Sequence, residues 1–500
     1  MSNPTITYKK LPFATVAISA LSILKTFLIP IIVVFFINFG KFTLNFNSPN
    51  FWSTIFTAGI WGVIIIFTLL AGVIKWWTFF YWFEDGELRV KYGLFVKKKR
   101  YISFERIQTL NYHEGIFHRI FGLVKVQVET AGSTDGKPEV EFTALTREAA
   151  DQIEIEMRKA KAKPVTNEEA SIEEDTVTEP VPEIVTEAMY KMSLKDLFVL
   201  ASTSGGIGII ISGLLALLSQ ASDVIPYEKI YGELAAIAKY GVLIILLTIF
   251  VLFILGWVAS LILTFLKYYD FKIVIQEEKM IITRGLIEKK RLTIPLNRVQ
   301  AIKIVENPFR QMFGYATVHL ESAGSNNDNN KESVVMFPLI KMHAIEQHIT
   351  HLFPDYEWQQ NYVPAPKKAL PYYYRIDFFY IVPIIAVASY FLYPWGLLTL
   401  LLIPFTMGLG VWQHRTAAYC INDKQLTLRY RGISRVTFFV QKHRIQSLSS
   451  RQSYFQKKND VMGIHLSVMS GASGAKASIR ALDQADVEHI LEWYDSEKIK

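Results

Sequence analysis

The stretch that decides the fold is YGLFVKKKRYISFERIQTLNYHEGIFHRIFGLVKVQVETAGS, residues 92–133 of the 500-residue chain. Two later stretches repeat it, RGLIEKKRLTIPLNRVQAIKIVENPFRQMFGYATVHLESAGS at 284–325 and RGISRVTFFVQKHRIQSLSSRQSYFQKKNDVMGIHLSVMSGAS at 431–473. In the three copies a glycine precedes an arginine by 13, 13 and 12 residues, and that arginine precedes a second glycine by 26, 26 and 27 residues. Two spacings that hold across three copies indicate one module present three times.

Each copy has the pattern of a small β-sheet. Alternating runs rich in β-branched residues predict strands over Val124–Thr130, Thr317–Glu321 and Ile464–Met469. A glycine stands between two strand-like runs in every copy, where a turn with positive φ suits this residue: Gly93, Gly285 and Gly432. The Ala-Gly-Ser segment and the polar residues after it, such as Asn326–Asn330, predict hairpin loops.

A closing helix follows the strands of each copy. Apolar residues recur at helical spacing and predict helices over Thr146–Ala162, Leu339–Phe353 and Asp483–Glu497. We therefore expect three β-barrels or sheets of about 80 residues, each capped by a C-terminal helix.

Six apolar stretches separate these modules, in a chain that is 51% hydrophobic and 20% charged. They are Leu11–Phe39, Thr54–Phe80, Leu197–Leu218, Ala236–Leu266, Phe378–Tyr393 and Trp395–Trp412. Four have the ~20 residues that a helix needs to cross a bilayer. The last two are shorter, and the Tyr393-Pro394 step between them predicts the tip of a tight helical hairpin. Buried core helices are the alternative for this pair.

Basic residues flank the spans in a consistent pattern. They precede the odd-numbered spans and follow the even-numbered ones: Lys9, Lys10, Lys97–Arg100, Lys191, Lys195, Lys267, Lys272, Lys367, Lys368, Arg375 and Arg415. The loops on the opposite side contain few positive charges. The positive-inside rule then predicts a multi-pass protein of the cell membrane, with both termini and all three modules in the cytoplasm.

The fold class is thus membrane α + β, with six transmembrane helices as three hairpins, each followed by a module. The predicted hairpins occupy 11–82, 195–267 and 372–413, and the predicted modules occupy 83–163, 268–355 and 414–498. Residues 164–188 form an acidic linker that we expect to be disordered. It is either a spacer or an arm that competes with lipid for the basic faces of the modules.

The paired spans and the recurring (I/V)-x-x-x-R-(I/V)-Q core resemble bacterial pleckstrin-homology (PH) domains of the DUF304 (bPH2) type. Three such units on one chain resemble the YdbT-like membrane proteins of Gram-positive bacteria. The resemblance covers nearly the whole chain. It implies a PH-like fold and an envelope role, and it brings no catalytic residues. Copy three lacks the Phe-x-x-x-Phe-Gly segment of Phe117–Gly122 and Phe309–Gly314, so a surface formed by that segment is in doubt there.

Basic residues of the modules are the candidate contacts to lipid or to a partner. They are Lys97, Lys98, Lys99, Arg100, Arg106, Lys289, Lys290, Arg291, Arg298 and Arg444. Near an anionic leaflet each is worth ~1 kcal/mol. The alternatives are structural ion pairs or carbonyl contacts for the three repeated arginines, and plain positive-inside topology for the clusters. Copy three has Arg429, Arg431 and Arg435 in place of the cluster.

Few features indicate chemistry. Lys25 marks either a polar site inside the bundle or a helix offset toward an interface. Ser204, Gly208 and Ser212 form a small-residue face suited to helix packing. One cysteine, Cys420, excludes an internal disulfide framework, and we predict no metal, no cofactor and no catalytic residues.

We therefore expect a non-enzymatic membrane protein that presents three PH-like modules for binding lipid surfaces or proteins, with a role in envelope stress or antimicrobial-peptide resistance implied by the resemblance. The partners expected are anionic inner-leaflet lipids and an unknown membrane protein or a second copy, but no nucleic acid. The alternative is a transporter or channel for a lipid or peptide through the six-helix bundle.

Overall fold

The computed structural model describes residues 8–25, 51–130, 138–162, 188–204, 241–276, 278–323, 333–391, 393, 395–470 and 474–495. It divides into two compact units, Met1–Gly132 with Pro138–Thr293, and Ser133–Lys137 with Ile294–Lys500. The predicted acidic linker lies outside the described residues except for its last position.

The first unit contains six described helices and the first eleven strands, the last of which crosses the boundary between the units. The helices are α1 (Thr15–Lys25), α2 (Phe51–Thr78), α3 (Ile116–Ile120), α4 (Arg147–Ala162), α5 (Leu194–Ser202) and α6 (Gly241–Tyr268). The strands are β1 (Lys9–Lys10), β2 (Phe80–Glu84), β3 (Glu87–Tyr92), β4 (Lys98–Ser103), β5 (Ile107–Glu114), β6 (Leu123–Thr130), β7 (Val140–Thr146), β8 (Tyr190–Lys191), β9 (Lys272–Gln276), β10 (Lys279–Arg284) and β11 (Lys289–Pro295).

The first module is built from two sheets, the short helix α3 and the closing helix α4. Strands β1–β4 form a four-stranded sheet in chain order, and β5–β7 belong to a second, seven-stranded sheet. Apolar residues from both sheets pack with α4 in one core, where Leu88, Val126 and Ile153 are completely buried. Strand alternation and the helical period of α4 direct these side chains inward.

The second unit contains the remaining elements. Its helices are α7 (Pro308–Met312), α8 (Met342–Ile349), α9 (Pro371–Phe391), α10 (Leu402–Thr416), α11 (Tyr454–Lys458) and α12 (Gln484–Asp495). Its strands are β12 (Val299–Glu306), β13 (Tyr315–Ser322), β14 (Val334–Lys341), β15 (Val363–Pro364), β16 (Ala418–Ile421), β17 (Gln425–Arg431), β18 (Arg435–Gln441), β19 (Ile445–Arg451), β20 (Val461–Val468) and β21 (Ala475–Asp483). The third module packs around a core that includes Leu428, Ile464 and Val487.

Adjacent modules are joined by pairing between one strand of each, and we call each such strand pair a junction. In the first unit β5 pairs antiparallel with β11, so the sheet order is β7-β6-β5-β11-β10-β9-β8. In the second unit β12 pairs antiparallel with β18, and the order is β14-β13-β12-β18-β17-β16-β15. Each junction therefore buries the outer edge of a strand that would otherwise present unpaired backbone groups.

In each module the first strand after the predicted hairpin pairs with a two-residue strand that precedes the hairpin in the chain. Lys9 and Lys10 of β1 pair with Tyr81 and Phe80 of β2, on the other side of the first two predicted spans. In the same way β8 pairs with β9, and β15 pairs with β16. The chain predicted to form each hairpin thus lies between two strands that pair with each other.

Among the described residues, four helical segments are long and apolar enough to cross a membrane. They are Gly59–Thr78, Phe250–Tyr268, Lys367–Phe391 and Gly396–Thr416. The described parts of α1 and α5 are shorter, and the rest of those two predicted spans lies outside the described residues. Lys25 ends the described part of α1 as an exposed residue, and Gly208 and Ser212 lie outside the described residues. The described strands form open sheets and no closed barrel.

Most predicted elements are confirmed, with two corrections. The closing helix of the second module begins at Met342, because Leu339 and Ile340 are buried in β14. Gly93 and Gly285 have φ of +104° and +106°, but Gly432 has no positive φ, in the copy whose glycine stands one residue closer to the arginine. Cys420 is a buried strand residue, as expected.

Candidate membrane-facing surface

Each module has a turn that begins at the repeated glycine. These turns, here called the glycine loops, occupy residues 93–96, 285–288 and 432–434. At Gly285 a Cβ atom would lie 2.0 Å from the carbonyl oxygen of Glu288, and at Gly93 it would lie 2.1 Å from that of Val96. No other residue fits these two turns without moving the backbone. At Gly432 the space is open.

Two glycine loops bind the ends of candidate spanning helices. In the first unit the amide of Gly285 donates to the carbonyl of Tyr269 at 2.8 Å, and the amide of Leu286 donates to that of Leu266 at 3.0 Å. In the second unit Gln413 Nε2 of α10 donates to the carbonyl of Gly432 at 3.2 Å. These loops therefore lie beside the C-terminal ends of α6 and α10.

The glycine loops carry exposed apolar side chains. Phe95 is 94% exposed and Ile433 is 68% exposed, and Val96, Leu286 and Ile287 are also exposed. Apolar groups this exposed, two of whose three loops lie beside candidate spanning helices, have the chemistry of residues that enter the headgroup region.

A second apolar surface comes from the five-residue helices α3, α7 and α11. Each carries or adjoins two exposed aromatic rings: Phe117 and Phe121, Phe309 and Phe313, Tyr454 and Phe455. Copy three therefore keeps an aromatic surface here although its sequence lacks the Phe-x-x-x-Phe-Gly segment. A capping box at Ser453 and Gln456 fixes α11 instead.

Within each unit the two surfaces adjoin across the junction. Arg119 on α3 donates through Nη1 to the carbonyl of Leu286 at 2.9 Å. Arg431, beside the third glycine loop, donates through Nη2 to Gln311 Oε1 on α7 at 2.7 Å. The short helix of one module and the glycine loop of the next thus form one apolar surface in each unit.

The first basic cluster lies on an open strand edge. Lys97, Lys98 and Lys99 are exposed, at the start of β4 and just before it. Arg100 is engaged, since its Nη1 donates to the carbonyl oxygen of Glu139 at 2.6 Å and to its carboxylate at 2.5 Å. Three of these four candidates therefore keep a side chain available to a headgroup.

The second basic cluster takes part in a junction. Lys289, Lys290 and Arg291 pair with residues 112–114 of β5, and only Lys289 is exposed. The guanidinium of Arg291 lies 5.6 Å from the ring centre of Tyr112, in a cation–π contact. This cluster helps to hold two modules together.

The arginines of copy three are used in packing. Arg435 binds both carboxylate oxygens of Glu306, which is 4% exposed. Arg429 lies 3.8 Å from the ring centre of Tyr362, and burial lowers the pKa of its guanidinium. Arg431 lies 3.9 Å from the ring centre of Trp412. Copy three therefore keeps the positive charge of the cluster, but its three arginines pack at the second junction.

The three repeated arginines close equivalent 3-10 turns, Phe104–Arg106, Leu296–Arg298 and Lys442–Arg444. Arg106 is exposed and Arg298 is half-buried. Arg444 donates through Nη2 to the carbonyl of Asn297 at 2.9 Å, in the turn of the preceding module. For Arg444 this is a carbonyl contact between modules.

Comparison with known families accounts for this arrangement. The family model bPH_2, described as Bacterial PH domain, matches residues 21–161, 214–353 and 378–498. The chain belongs to the bacterial PH domain family. Each match begins within a predicted hairpin, so the bPH_2 unit includes membrane helix as well as the module that follows it.

A relative of this chain is similar to it over nearly its whole length. The chain is 36% identical over 479 residues to the UPF0699 transmembrane protein YdbT of Bacillus subtilis (strain 168), which is 95% of this chain and 94% of the relative. The chain is thus a transmembrane protein with three bPH_2 domains, similar to YdbT throughout.

The first bPH_2 junction also encloses a cavity of about 340 Å³ between β5, α4 and β9–β11. Its lining includes Lys279, Arg291 and Arg158 against one carboxylate, Glu154. Tyr112 Oη donates to Glu154 at 2.8 Å, and Arg158 also donates to it at 2.8 Å. Burial disfavours the charge on Glu154, but these donors and Arg291 outweigh it and hold its pKa below the usual range. The surplus of positive charge suits an anionic group.

This bPH_2 junction was not predicted from the sequence. A signal existed in the repeated (I/V)-Q step, since Gln108 lines the cavity and its Oε1 has no partner among the described residues. The equivalent Gln300 instead donates to the carbonyl of Arg298, and Gln446 is exposed. One repeated position therefore has three environments, which a sequence pattern cannot distinguish.

Proposed function

We propose that the chain is a non-enzymatic membrane scaffold whose bPH_2 modules lie flat against the cytoplasmic leaflet and bind anionic lipid there. The observation that carries the proposal is the first glycine loop, where Phe95 is 94% exposed directly before the exposed Lys97, Lys98 and Lys99. Inserting one Phe side chain is worth about 2 kcal/mol, and three lysines near an anionic surface add about 3 kcal/mol.

The proposed topology has six spans in three hairpins, with both termini and all modules in the cytoplasm. Strand pairing supports it. Because β1 pairs with β2, the chain before the first span and the chain after the second lie on the same side of the membrane. The same argument applies to β8 with β9 and to β15 with β16, so each hairpin crosses an even number of times. Excess Lys and Arg on that side favour the cytoplasm.

The family resemblance implies the physiological setting, which is envelope stress or antimicrobial-peptide resistance. A scaffold that binds the inner leaflet over a wide surface could respond to a change in surface charge, since each bound lysine senses anionic lipid within a Debye length.

A fluorescent label on the glycine loop tests the proposal. The full-length Phe95→Cys variant, labelled with an environment-sensitive fluorophore, is reconstituted into phosphatidylcholine vesicles with and without phosphatidylglycerol. Cys420 is buried and can stay. We expect a blue shift, quenching by lipids spin-labelled high in the acyl chain, and a stronger response with phosphatidylglycerol. Changing Lys97, Lys98 and Lys99 to Gln should remove the phosphatidylglycerol dependence.

The matched control is Lys159→Cys, an exposed position on the closing helix α4. Membrane docking by the modules would be overturned if the label at position 95 showed no more blue shift and no more quenching than the label at position 159.

The transporter alternative needs polar groups that converge between helices. Among the described helices, one hydrogen-bonded group of hydroxyls joins α5 to α6, where Ser204 Oγ lies 3.0 Å from Thr264 Oγ1 and 3.3 Å from Ser260 Oγ. Thr15 and Ser19 of α1 and Thr68 of α2 are also buried. Three hydroxyls that satisfy one another favour packing of α5 on α6 over a transport path.

A further inference from the structure

The two junctions have the same register. Arg291 on β11 lies opposite Tyr112 on β5, and Thr437 on β18 lies opposite Ile304 on β12. Tyr112 and Ile304 each stand six residues after the repeated arginine, and Arg291 and Thr437 each stand seven residues before it. In each module we call the strand before the repeated arginine the β4-type strand and the strand after it the β5-type strand. The chain therefore uses one edge-to-edge contact twice, between the β5-type strand of one module and the β4-type strand of the next.

The β5-type strand of the third module is β19, and its outer edge is open. It is the edge strand of the sheet β19-β20-β21, and no described strand pairs with its other side. Ser447 is exposed there, whereas the equivalent Thr109 and Ala301 are buried at 2% and 0%. Ser449 and Ser450 are exposed as well.

The β4-type strand of the first module is β4, and its outer edge is also open. It ends the sheet β1-β2-β3-β4, and no described strand pairs beyond it. Lys98, Lys99 and Tyr101 are exposed on this strand. The chain thus ends in two unlike edges, each of which is the counterpart of the other at both junctions.

We propose that β4 of one copy pairs with β19 of a second copy, in the register of the junctions. Counting from the repeated arginines places Lys99 opposite Ser450, and Tyr101 opposite Leu448. The contact joins unlike surfaces, so it is heterologous and produces a ring or an open chain of molecules in the membrane. It rests on the proposed function only in that all modules share one face of the membrane, and it needs no lipid binding.

Charge makes this contact weaker than the junctions inside the chain. At the second junction Arg435 lies opposite Glu306. At the proposed contact the equivalent pair is Lys97 with Gln452, and Lys98 lies opposite Arg451. Like charges directly opposite on paired strands repel, so we expect assembly to be reversible and to increase with salt.

Cysteine crosslinking between two tagged forms tests the inference. One full-length form carries Lys99→Cys and the other carries Ser450→Cys, expressed together. Opposed residues of an antiparallel pair have Cα atoms about 4.5–5.5 Å apart, which is within disulfide range. After mild oxidation of isolated membranes we expect a dimer that carries both tags. The control pairs Ser450→Cys with Lys159→Cys, which lies on a helix.

Each outcome is decisive. A mixed dimer above the control supports head-to-tail assembly, and Arg451→Glu, which places an acid opposite Lys98, should increase it about two- to fivefold. Dimers of the Ser450→Cys form alone would indicate symmetric pairing of β19 and overturn the inference. A mixed signal no greater than the control would overturn it too. In a third form one chain carries both cysteines, and a disulfide formed within single chains of this form would also overturn the inference. The labelled-loop experiment is unaffected by any of these results.

Discussion

Removing the carboxylate of Glu306 should loosen the second junction. Glu306 on β12 lies opposite Arg435 on β18, whose Nε donates to Oε1 at 2.6 Å and whose Nη2 donates to Oε2. The side chain of Glu306 is 4% exposed and that of Arg435 is 27% exposed. Glu306→Ala leaves this guanidinium without its partner.

The size of the effect follows from burial. A hydrogen bond to a charged group contributes about 1.5–3 kcal/mol, and breaking a buried ion pair by removing one partner costs about 3–5 kcal/mol. Water reaches part of Arg435, which favours the lower end. Arg429 and Arg431 lie near enough to Arg435 and Glu306 for both charges to act on their pKa, so the variant removes the carboxylate of Glu306 from all three guanidiniums. We expect a loss of about 3 kcal/mol.

Hydrogen exchange of the full chain in detergent measures this loss locally. A cost of about 3 kcal/mol corresponds to roughly a hundredfold faster exchange of the β12 and β18 amides, if they exchange by opening of the junction. Amides of β20 should change little. The control is Glu492→Ala, an exposed acid on α12.

Two results would refute the reasoning. Exchange of β12 and β18 within threefold of the unmodified protein would mean that the pair contributes little. An equal acceleration of β20 would mean that the whole unit, and not the junction, is destabilised. The double variant Glu306→Ala with Arg435→Ala should lose less than the sum of the two single changes, because neither member of the ion pair is left without its partner.

Three further predictions concern the loops, the first junction and the repeated arginines. Gly285→Ala should destabilise its module by about 2 kcal/mol or more, while Gly432→Ala should be nearly neutral; thermal unfolding that ranks them equally would contradict this. Tyr112→Phe should cost about 1.5–3 kcal/mol. Because Glu154 has a lowered pKa, this cost should be full above about pH 5 and shrink as the pH falls through that pKa, and unfolding followed from pH 3 to 7 would show a constant difference if the reasoning is wrong. The third prediction concerns the repeated arginines Arg106, Arg298 and Arg444, changed together to Ala. In crosslinking of intact cells at equal protein level, the variant should lose a specific partner. If only self-crosslinks are found and the variant leaves them unchanged, the arginines are structural.

The repeat and the membrane helices could be predicted because their signals are long. A module present three times shows itself by spacing, and a spanning helix by a run of apolar residues. The strands Val124–Thr130 and Thr317–Glu321 were predictable for the same reason, since alternation over five or more residues is a strong pattern. Leu339 and Ile340 were assigned to the wrong element because a short apolar run fits both a strand and a buried helix.

The junctions could not be predicted, because strand pairing between modules leaves no local pattern. A basic cluster such as Lys289–Arg291 has the same composition whether it faces lipid, like Lys97–Lys99, or pairs with another strand. Burial distinguishes the two cases, and burial depends on what lies beyond the edge. Glu306 and Arg435 are 129 residues apart in sequence, so their contact follows only from the fold.

The two-residue strands β1, β8 and β15 were missed because two residues carry no periodicity. Lys9 and Lys10 satisfied the positive-inside rule, and that explanation was sufficient at the level of sequence. Their pairing with Tyr81 and Phe80 adds a second reason for their position.

That pairing has a consequence for biosynthesis. Lys9 and Lys10 leave the ribosome long before Phe80 and Tyr81, and both spans of the hairpin lie between them. In the proposed topology, the first sheet therefore closes only after the hairpin has been inserted with both ends on the cytoplasmic side. A hairpin inserted with one span missing would leave β2 without its neighbour and the core of the module open to proteolysis. In the proposed topology, complete folding of each module therefore depends on paired insertion of the helices that precede it.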